Sequence, residues 1–505
     1  MLFNSYTYLL LFLPLVAIGF HLLRHSKLRL SLGWLVLMSL AFYGWWNPDP
    51  TQPWSPKYVL MILGSCTFNY FLGKRLSALK HSGPGKAILG LGIAANLSTL
   101  AYFKYATFLA GISQNLTGFP AELPHIILPL AISFFTFLQI AYLVDAWKGK
   151  TEEYHFTDYL LFVTFFPHLI AGPLIHHREM MPQFAKNKNR GLHSNDMSVG
   201  LTLLALGLFK KVVVADYLAR TSSPIFELAA GDGRDPTMLE AWAGALSYTL
   251  QLYFDFSGYS DMALGSARIF GIRFPLNFHS PYKAVSIVDF WRRWHITLSR
   301  FLRDYLYIPL GGNRKGPGRR YVNLFVTMLL GGLWHGAGWT FIIWGALHGA
   351  LLCVNHAWFA FRKKMSLPAI PKPLAIGMTF FAVLIGWVFF KSKDFGAAQN
   401  MLYAMFGGHG WSGWPPDSMI VVKDDRAWKP IIGGLVLCWA FPNTQQFMKR
   451  YLPALNLKEF SDMKAGPHRW WHWRPTVPWA LFTLGVLYAV GRAFDKVSEF
   501  IYFQF

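Results

Sequence analysis

Histidines set in nearly uncharged sequence are the first residues here that could do chemistry. The stretch "GGLWHGAGWTFIIWGALHG", residues 331–349, carries His335 and His348 among tryptophans and glycines. An imidazole can take up and return a proton near neutral pH, and an ionisable group at membrane depth is a functional candidate by default. On one straight helix the two histidines would lie about 220° and ~20 Å apart, unable to serve one reacting atom. Their settings differ as well. Trp334 and Gly336 flank His335, with Gly331, Gly332 and Gly338 close by, and such glycine density breaks helices and admits close backbone approach. His348 sits in the regular pattern "IIWGALHGALL". The plain alternative for both is a hydrogen-bonded packing histidine, which suits His348 better than His335.

A second candidate region is "DFWRRWHITLSRFLRDYLYIPLGGNRKG", residues 289–316. Helical spacing aligns Phe290, Trp294, Leu298, Phe301 and Tyr305 in one apolar stripe and leaves Arg292, Arg293, Arg300 and Arg303 on other faces. The pattern predicts one amphipathic helix at a membrane interface, with His295 on an apolar side facing inward. The arginines suit lipid headgroups and equally the phosphates of a polyanionic cosubstrate such as a coenzyme A nucleotide.

Two further stretches are weaker. In "YFDFSGYSDMALG", residues 253–265, Asp255 and Asp261 are about 240° apart on a helix and do not form an acid/base pair, whereas Ser257 and Asp261 share a face. Hydrogen bonding between helices is their expected role; orienting a histidine or lining a polar tunnel is the alternative. "FPHLIAGPLIHHRE" offers His168, His176, His177 and Glu179, but at no familiar zinc spacing, so no metal site is expected. Nucleophile-elbow, Walker and dinucleotide motifs do not occur. Cys66, Cys353 and Cys438 stand far apart in apolar segments, which indicates neither a disulfide framework nor a thiolate metal site.

The elements that must position these residues are membrane helices. Of 505 residues, 53% are hydrophobic, 17% aromatic and 14% charged, against about 25% charged in soluble proteins. The net charge of +22 falls mainly in short loops between apolar segments, so it indicates positive-inside topology and no nucleic-acid partner. Arg24, Lys27 and Arg29 are basic; "NPDPTQPWSP" carries only Asp49; Lys74, Arg75, Lys80 and Lys86 are basic again; "KYATFLAGISQNLTGFPAELP" is nearly neutral; Lys148 and Lys150 close the series. That alternation places five spans, the first read as retained, with its N-terminus outside. "YLLFVTFFPHLIAGPLI" is interrupted by Pro167, Gly172 and Pro173 and flanked by basic residues, including the stretch Arg178 to Arg190, so it is expected to be re-entrant.

Spans follow near 198–216, where Lys210 and Lys211 blur the limits, and near 240–258. Residues 272–320 are the most basic part, and Arg362, Lys363 and Lys364 follow the histidine stretch. Either two tilted helices return on themselves between these borders or part of the segment re-enters; both put His335 deep. Three spans near 373–391, 430–446 and 476–492 complete the chain. The expectation is an all-α polytopic membrane protein of about ten to eleven transmembrane helices with re-entrant segments. It forms one integral-membrane domain over 1–505: N-terminal spans 1–150, a catalytic core 151–365 and C-terminal spans 366–505.

The blocks "YFKYATF", "FFPHLIAGP", "QLYFDFSGYSDMALG", "FWRRWHITLSRFLRDYLYIPLGGNR", "LLGGLWHGAGWTFIIWGALHG", "IGWVFF" and the terminal "FIYFQF" resemble the membrane-bound O-acyltransferase (MBOAT) family. Within it, the chain most resembles the integral-membrane subunits that O-acetylate alginate and other bacterial polysaccharides. The resemblance implies a bundle around a central funnel in the bacterial inner membrane, with donor entering from the cytoplasm and acceptor from the other side. It also implies that His335 is the essential residue, that His295 is its polar companion, and that a separate periplasmic acetyltransferase or acceptor protein is the partner. "ISFFTFLQIAYLVDAW" is similar to general polysaccharide-acetylating members more than to the alginate-specific version, which leaves alginate, cellulose, another exopolysaccharide or, more remotely, peptidoglycan.

The expected chemistry uses acetyl-CoA as cosubstrate and no bound cofactor. Burial disfavours the charged form of an imidazole, so a neutral His335 would take the acceptor hydroxyl proton as the oxygen attacks the thioester. His295 would steer or polarise the thioester, Arg292, Arg293, Arg300 or Arg303 would meet the donor's phosphates, and Trp334, Asp255, Ser257, Asp261 and His348 would support the site or line a tunnel. A transient acetyl-His335 is the alternative route. The competing class is a transporter or flippase for a polysaccharide precursor or acetyl donor, which also uses broken helices and a midplane polar site. A purely structural scaffold is a third.

Overall fold

The computed structural model describes residues 2–24, 28–47, 55–119, 123–124, 126–152, 154–186, 193–410, 427–463, 469–494 and 500–501. Lys27, the loop with Asp49, the end of the basic stretch at residues 187–190 and the terminal residues 502–505 lie outside the described residues. Among the described residues the architecture is all-helical, with one isolated bridge between Pro275 and Leu455. Four helices are long and apolar enough to cross a membrane: Gly83–Thr117, Ser194–Ala229, Trp339–Lys364 and Lys372–Lys391. Five shorter apolar helices, Thr7–Leu23, Arg29–Gly44, Ile132–Trp147, Trp428–Trp439 and Val477–Ala493, accompany them. The chain is thus a helical, multi-pass type of membrane protein, and it divides into two compact units.

The first unit comprises residues 1–204, 261–275 and 453–456. Its helices are α1 (Leu13–Arg24), α2 (Leu28–Gly44), α3 (Lys57–Ala78), α4 (Gly83–Thr117), α5 (Ile132–Trp147), α6 (Phe156–Thr164), α7 (Phe166–Leu169), α8 (His177–Lys186) and most of α9 (Ser194–Leu208). Phe12 packs on Phe42 at 5.5 Å and on Phe166 at 5.2 Å, and Phe166 on Phe270 at 5.9 Å, so aromatic edges and faces form the core. Helices α3, α4 and α5 are joined by amides. Asn69 and Asn96 exchange hydrogen bonds of 3.1 and 2.8 Å, and Asn69 donates to Gln139 at 2.8 Å, a bonding that suits helices with no water between them. The expected interruption after residue 160 is present: the helix breaks at Phe165, where Pro167 follows, and again after Leu169.

The second unit comprises residues 205–260, 276–452 and 457–505. It contains α10 (Asp216–Ala229), the start of α11 (Met238–Ile269), α12 (Ile287–Arg293), α13 (Ile296–Leu302), α14 (Gly316–His335), α15 (Trp339–Lys364), α16 (Lys372–Lys391), α17 (Phe395–Met405), α18 (Trp428–Trp439), α19 (Thr444–Phe447) and α20 (Val477–Ala493). The lysines that blurred the span near 198–216 fall in a π-helical turn, Phe209–Ala215, between α9 and α10. Such a turn re-aims side chains without ending the helix, and Lys211 reaches Asp216 at 2.9 Å and Asp255 at 2.6 Å.

The residues on either side of His335 fold as a helical hairpin, which corrects the straight-helix premise. Helix α14 ends at His335, Gly336 and Gly338 are extended, and α15 begins at Trp339. A side chain on Gly345 would meet the Met328 carbonyl at 2.5 Å and the Gly332 Cα at 3.1 Å, and one on Gly349 would meet the Phe325 Cα at 3.0 Å. That descending register shows two antiparallel helices in backbone contact. We expect Gly345→Ala to cost about 1–3 kcal/mol through overpacking, seen as a lower unfolding temperature in detergent. Gly377→Ala, on α16 with open space around it, should leave that temperature unchanged or slightly raised.

Candidate active site

His335 is the last residue of α14 and is 5% exposed. Its ring is walled by Trp334 at 4.9 Å, Trp344 at 5.1 Å and Phe390 at 5.2 Å. The glycines next to it are required by space: a side chain on Gly336 would overlap the Phe341 ring, and one on Gly332 the Phe341 carbonyl. Because the hairpin folds back, the same Trp344 also packs on His348 at 4.8 Å. The two histidines therefore share one indole. His348 is fully buried against Trp291 at 5.2 Å, and neither of its ring nitrogens has a hydrogen-bond partner among the described residues. Gly386 leaves it room, since a Cβ there would sit 2.8 Å from His348 Nε2.

His295 does not lie within a helix, which corrects the prediction of one amphipathic helix over 289–316. Helix α12 stops at Arg293, Trp294 is extended, His295 takes a left-handed conformation (φ 41°, ψ 53°), and α13 starts at Ile296. The cause is the segment 277–280, which offers the backbone other partners. His279 N–H donates to the Arg293 carbonyl at 2.9 Å and Ile296 N–H to the Asn277 carbonyl at 3.0 Å. The Asn277 side-chain oxygen accepts from the Thr297 hydroxyl at 2.9 Å and the Thr297 N–H at 3.4 Å. That oxygen also lies 3.1 Å from His295 Nδ1. An atom receiving those donors is the amide carbonyl, so in the neutral ring Nδ1 carries the hydrogen and Nε2 the lone pair. The inward placement read from the sequence holds, for His295 is 1% exposed and packs on Phe256 at 4.8 Å.

An aromatic wall links the two candidate histidines: His335 to Trp344, Trp344 to Trp387 at 5.8 Å, and Trp387 at 4.9 Å to Trp294, the neighbour of His295 in the chain. Such a wall excludes water and leaves polar work to few groups. The arginines are less uniform than expected. Arg293 is paired with Asp289 at 2.8 Å and Arg303 with Asp304 at 2.7 and 3.1 Å, while Arg292 is exposed and Arg300 half-buried. Nearby, burial would raise the Asp462 carboxyl, but His279 at 2.9 Å and Gln446 at 2.5 Å hold it down at about 2.

Asp255 is buried in the ion pair with Lys211 and accepts the Ile501 N–H at 3.2 Å. It joins segments, as the hydrogen-bonding reading of it expects. Ser257 and Asp261 are buried in the same helix, and Trp334 lies against His335. Sequence reasoning missed Asn277 and Phe256. Asn277 had a signal in its polar character within the otherwise apolar "RFPLNFHSP"; Phe256 had none apart from its neighbour Asp255.

The Lys211–Asp255 pair generates a stability test. Lys211→Met strands a buried carboxylate and should cost about 3–5 kcal/mol. Adding Asp255→Asn, which keeps an acceptor for Ile501, should recover more than half of that loss in thermal unfolding of the solubilised protein. A double variant no more stable than Lys211→Met would show that the charge pair is not the source of the loss.

Residues 87–393 match MBOAT, the membrane-bound O-acyltransferase family. The chain is 44% identical over 439 residues to the peptidoglycan O-acetyltransferase of Helicobacter pylori, covering 82% of this chain and 81% of that protein. It is 43% identical over 421 residues to the probable alginate O-acetylase AlgI of Pseudomonas aeruginosa, covering 81% and 76%. A teichoic acid D-alanyltransferase of Bacillus subtilis is 29% identical over 290 residues, covering 55% and 72%. The matched region contains the glycine hairpin with His335 and the broken segment with His295. A family match over more than half the length, with relatives above 40% identity over most of it, shows that the chain belongs to the membrane-bound O-acyltransferase family and is an O-acyltransferase.

Proposed function

We infer that this chain moves an acetyl group from acetyl-CoA, entering from the cytoplasm, toward a periplasmic acceptor protein that O-acetylates a cell-envelope polysaccharide, and that it works in the bacterial inner membrane. The observation that carries the reading is a buried histidine, His335, at the turn of the α14–α15 hairpin, walled by Trp334, Trp344 and Phe390. A group so placed suits the handling of a proton or an acyl group away from water. The relatives named for peptidoglycan and for alginate match nearly equally. They support an acetylated polysaccharide and do not separate these two polymers. Family membership favours acyl-transfer chemistry over a transporter or flippase that carries none.

In the proposed reaction the acceptor hydroxyl oxygen attacks the thioester carbonyl, His335 takes the hydroxyl proton, and the C–S bond breaks to release coenzyme A as its thiol after the proton is returned to sulfur. His295, held by Asn277 with its Nε2 lone pair turned away from that amide, polarises or steers through a bound water or the acceptor itself. Of the four arginines, the exposed Arg292 is the one offered to the donor's phosphates. In the alternative, an imidazole nitrogen of His335 attacks the thioester, the C–S bond breaks and coenzyme A leaves with the imidazole proton; the acceptor hydroxyl then displaces the acetyl group from the imidazole, which takes the hydroxyl proton.

The test is acetyl transfer from labelled acetyl-CoA by purified protein in detergent, with polymer acetylation in cells as the second readout. His335→Ala at normal protein level should lower transfer on the order of 100-fold or more. Unchanged polymer acetylation in that variant would sink the proposal. Asn277→Leu should lower the turnover rate by on the order of 10- to 100-fold with little change in KM for acetyl-CoA, while Asn277→Asp, which retains the acceptor, should keep most of the activity. A loss shared equally by both Asn277 variants would show that the amide only supports the fold.

A further inference from the structure

One cluster of ligand-type side chains in the first unit takes no part in the chemistry above. Asp145 stands in the last turn of α5, His176 lies just before α8, and His177 is its first residue. His176 Nε2 is 2.7 Å and His177 Nε2 3.1 Å from the same carboxylate oxygen, Asp145 Oδ2. One ligand atom from each residue lies within 4.8 Å of the other two. The two rings are tilted against each other with centroids 4.4 Å apart. The side chains of His177 and Asp145 are 0% and 5% exposed and that of His176 is 22% exposed, so the cluster is closed on one side and open on the other.

Two imidazole nitrogens and one carboxylate oxygen form a donor set suited to Zn²⁺, with a position left for water. Ligand atoms bound at about 2.0–2.2 Å in a tetrahedral site sit roughly 3.3 Å apart. The His177 nitrogen-to-oxygen separation of 3.1 Å is already close to that, the His176 separation of 2.7 Å has to open slightly, and all three ligand atoms lie within 4.8 Å of one another. A metal-bound imidazole is usually braced at its other nitrogen, and Tyr154 Oη lies 3.3 Å from His177 Nδ1. Glu179 is already used, accepting from the His176 N–H at 3.1 Å and from Asn456 at 3.0 Å. The sequence expectation of no metal rested on spacing, and the adjacent histidines match no known signature. The missing third ligand comes from a different helix, which no local pattern reveals.

We propose that Asp145, His176 and His177 bind a Zn²⁺ ion that fastens the end of α5 to the start of α8. When the metal binds, each imidazole turns its Nε2 lone pair to it and carries its hydrogen on Nδ1, which at His177 donates to Tyr154 Oη. At His176 the Arg178 N–H, 3.4 Å from Nδ1, has to give way.

The test uses the full-length, tag-free protein in detergent, with Zn²⁺ as the probe. After incubation and desalting, elemental analysis should give about one zinc per chain, and His176→Ala, which removes the part-exposed ligand, should lose it. Unfolding temperature should fall by about 3 °C on chelation and return with Zn²⁺ in the wild type, but not respond in the variant. Cobalt(II) in place of zinc should give visible absorption bands that disappear in His176→Ala and Asp145→Asn. Wild-type protein that elutes as a folded species yet holds no more zinc than His176→Ala would overturn the proposal, as would variants that retain stoichiometric metal. The wild-type chelation and cobalt measurements stand even where a variant fails to fold.

Discussion

Two helices reach backbone contact only where neither carries a side chain at the crossing, and α14 and α15 do so where Gly332 meets Gly345. That contact fixes the surroundings of His335 in the second unit's hairpin. It lets the chain reverse within residues 336–338, seats Phe341 over Gly336, and brings Trp344 back onto the ring of His335. With larger residues at the crossing the helices would stand apart by the usual 8–10 Å of side-chain packing, and the indole could not reach. His335 would then end a helix with no wall around it. The glycines thus act on the histidine through distance, although none of them touches a reacting group.

His295 is positioned in a different way, by strain that its surroundings impose. A non-glycine residue in the left-handed region is unfavourable by about 1–3 kcal/mol and persists only where neighbouring contacts over-determine it. Here they do: the Asn277 side chain and carbonyl together hold His295, Ile296 and Thr297, while His279 holds Arg293 on the other side of the break. The same amide fixes which ring nitrogen carries the hydrogen. One side chain therefore sets both the backbone turn and the tautomer, so the two properties cannot vary independently.

Much of this was legible in the sequence, and the parts that were not share a physical reason. Composition and loop charge gave a helical membrane chain, and the glycines around His335 marked a break with close approach. The family resemblance implied an essential role for His335 and a companion role for His295. The stripe Phe290, Trp294, Leu298 was periodic enough to predict one helix, and it failed because a competing segment, residues 277–280, captured the backbone groups at residues 293 and 296. Periodicity reports which side chains prefer burial and carries nothing about a distant hydrogen-bond acceptor. Lys210 and Lys211 looked like the limit of a span for the same reason. A buried lysine is intelligible only once Asp255, from another helix, is known to face Lys211.

That ion pair also bears on the histidines. Buried pairs are weak sources of stability compared with apolar packing of the same volume, so its presence calls for a positional role. Asp255 accepts the Ile501 N–H, and the next residue of α11, Phe256, packs on Phe500 at 5.4 Å and on His295 at 4.8 Å. Phe500 also stacks on Tyr259 at 4.5 Å, one turn further along the helix. A single turn of α11 thus holds residues 500–501 by a charge on one face and by rings on the next. Residues 500–501 are thereby fixed against the ring that forms one wall of His295. A neutral, purely apolar contact would bury the same area but would leave the chain free to slide along the helix. The hydrogen bond to a carboxylate, itself held by Lys211, permits only one register.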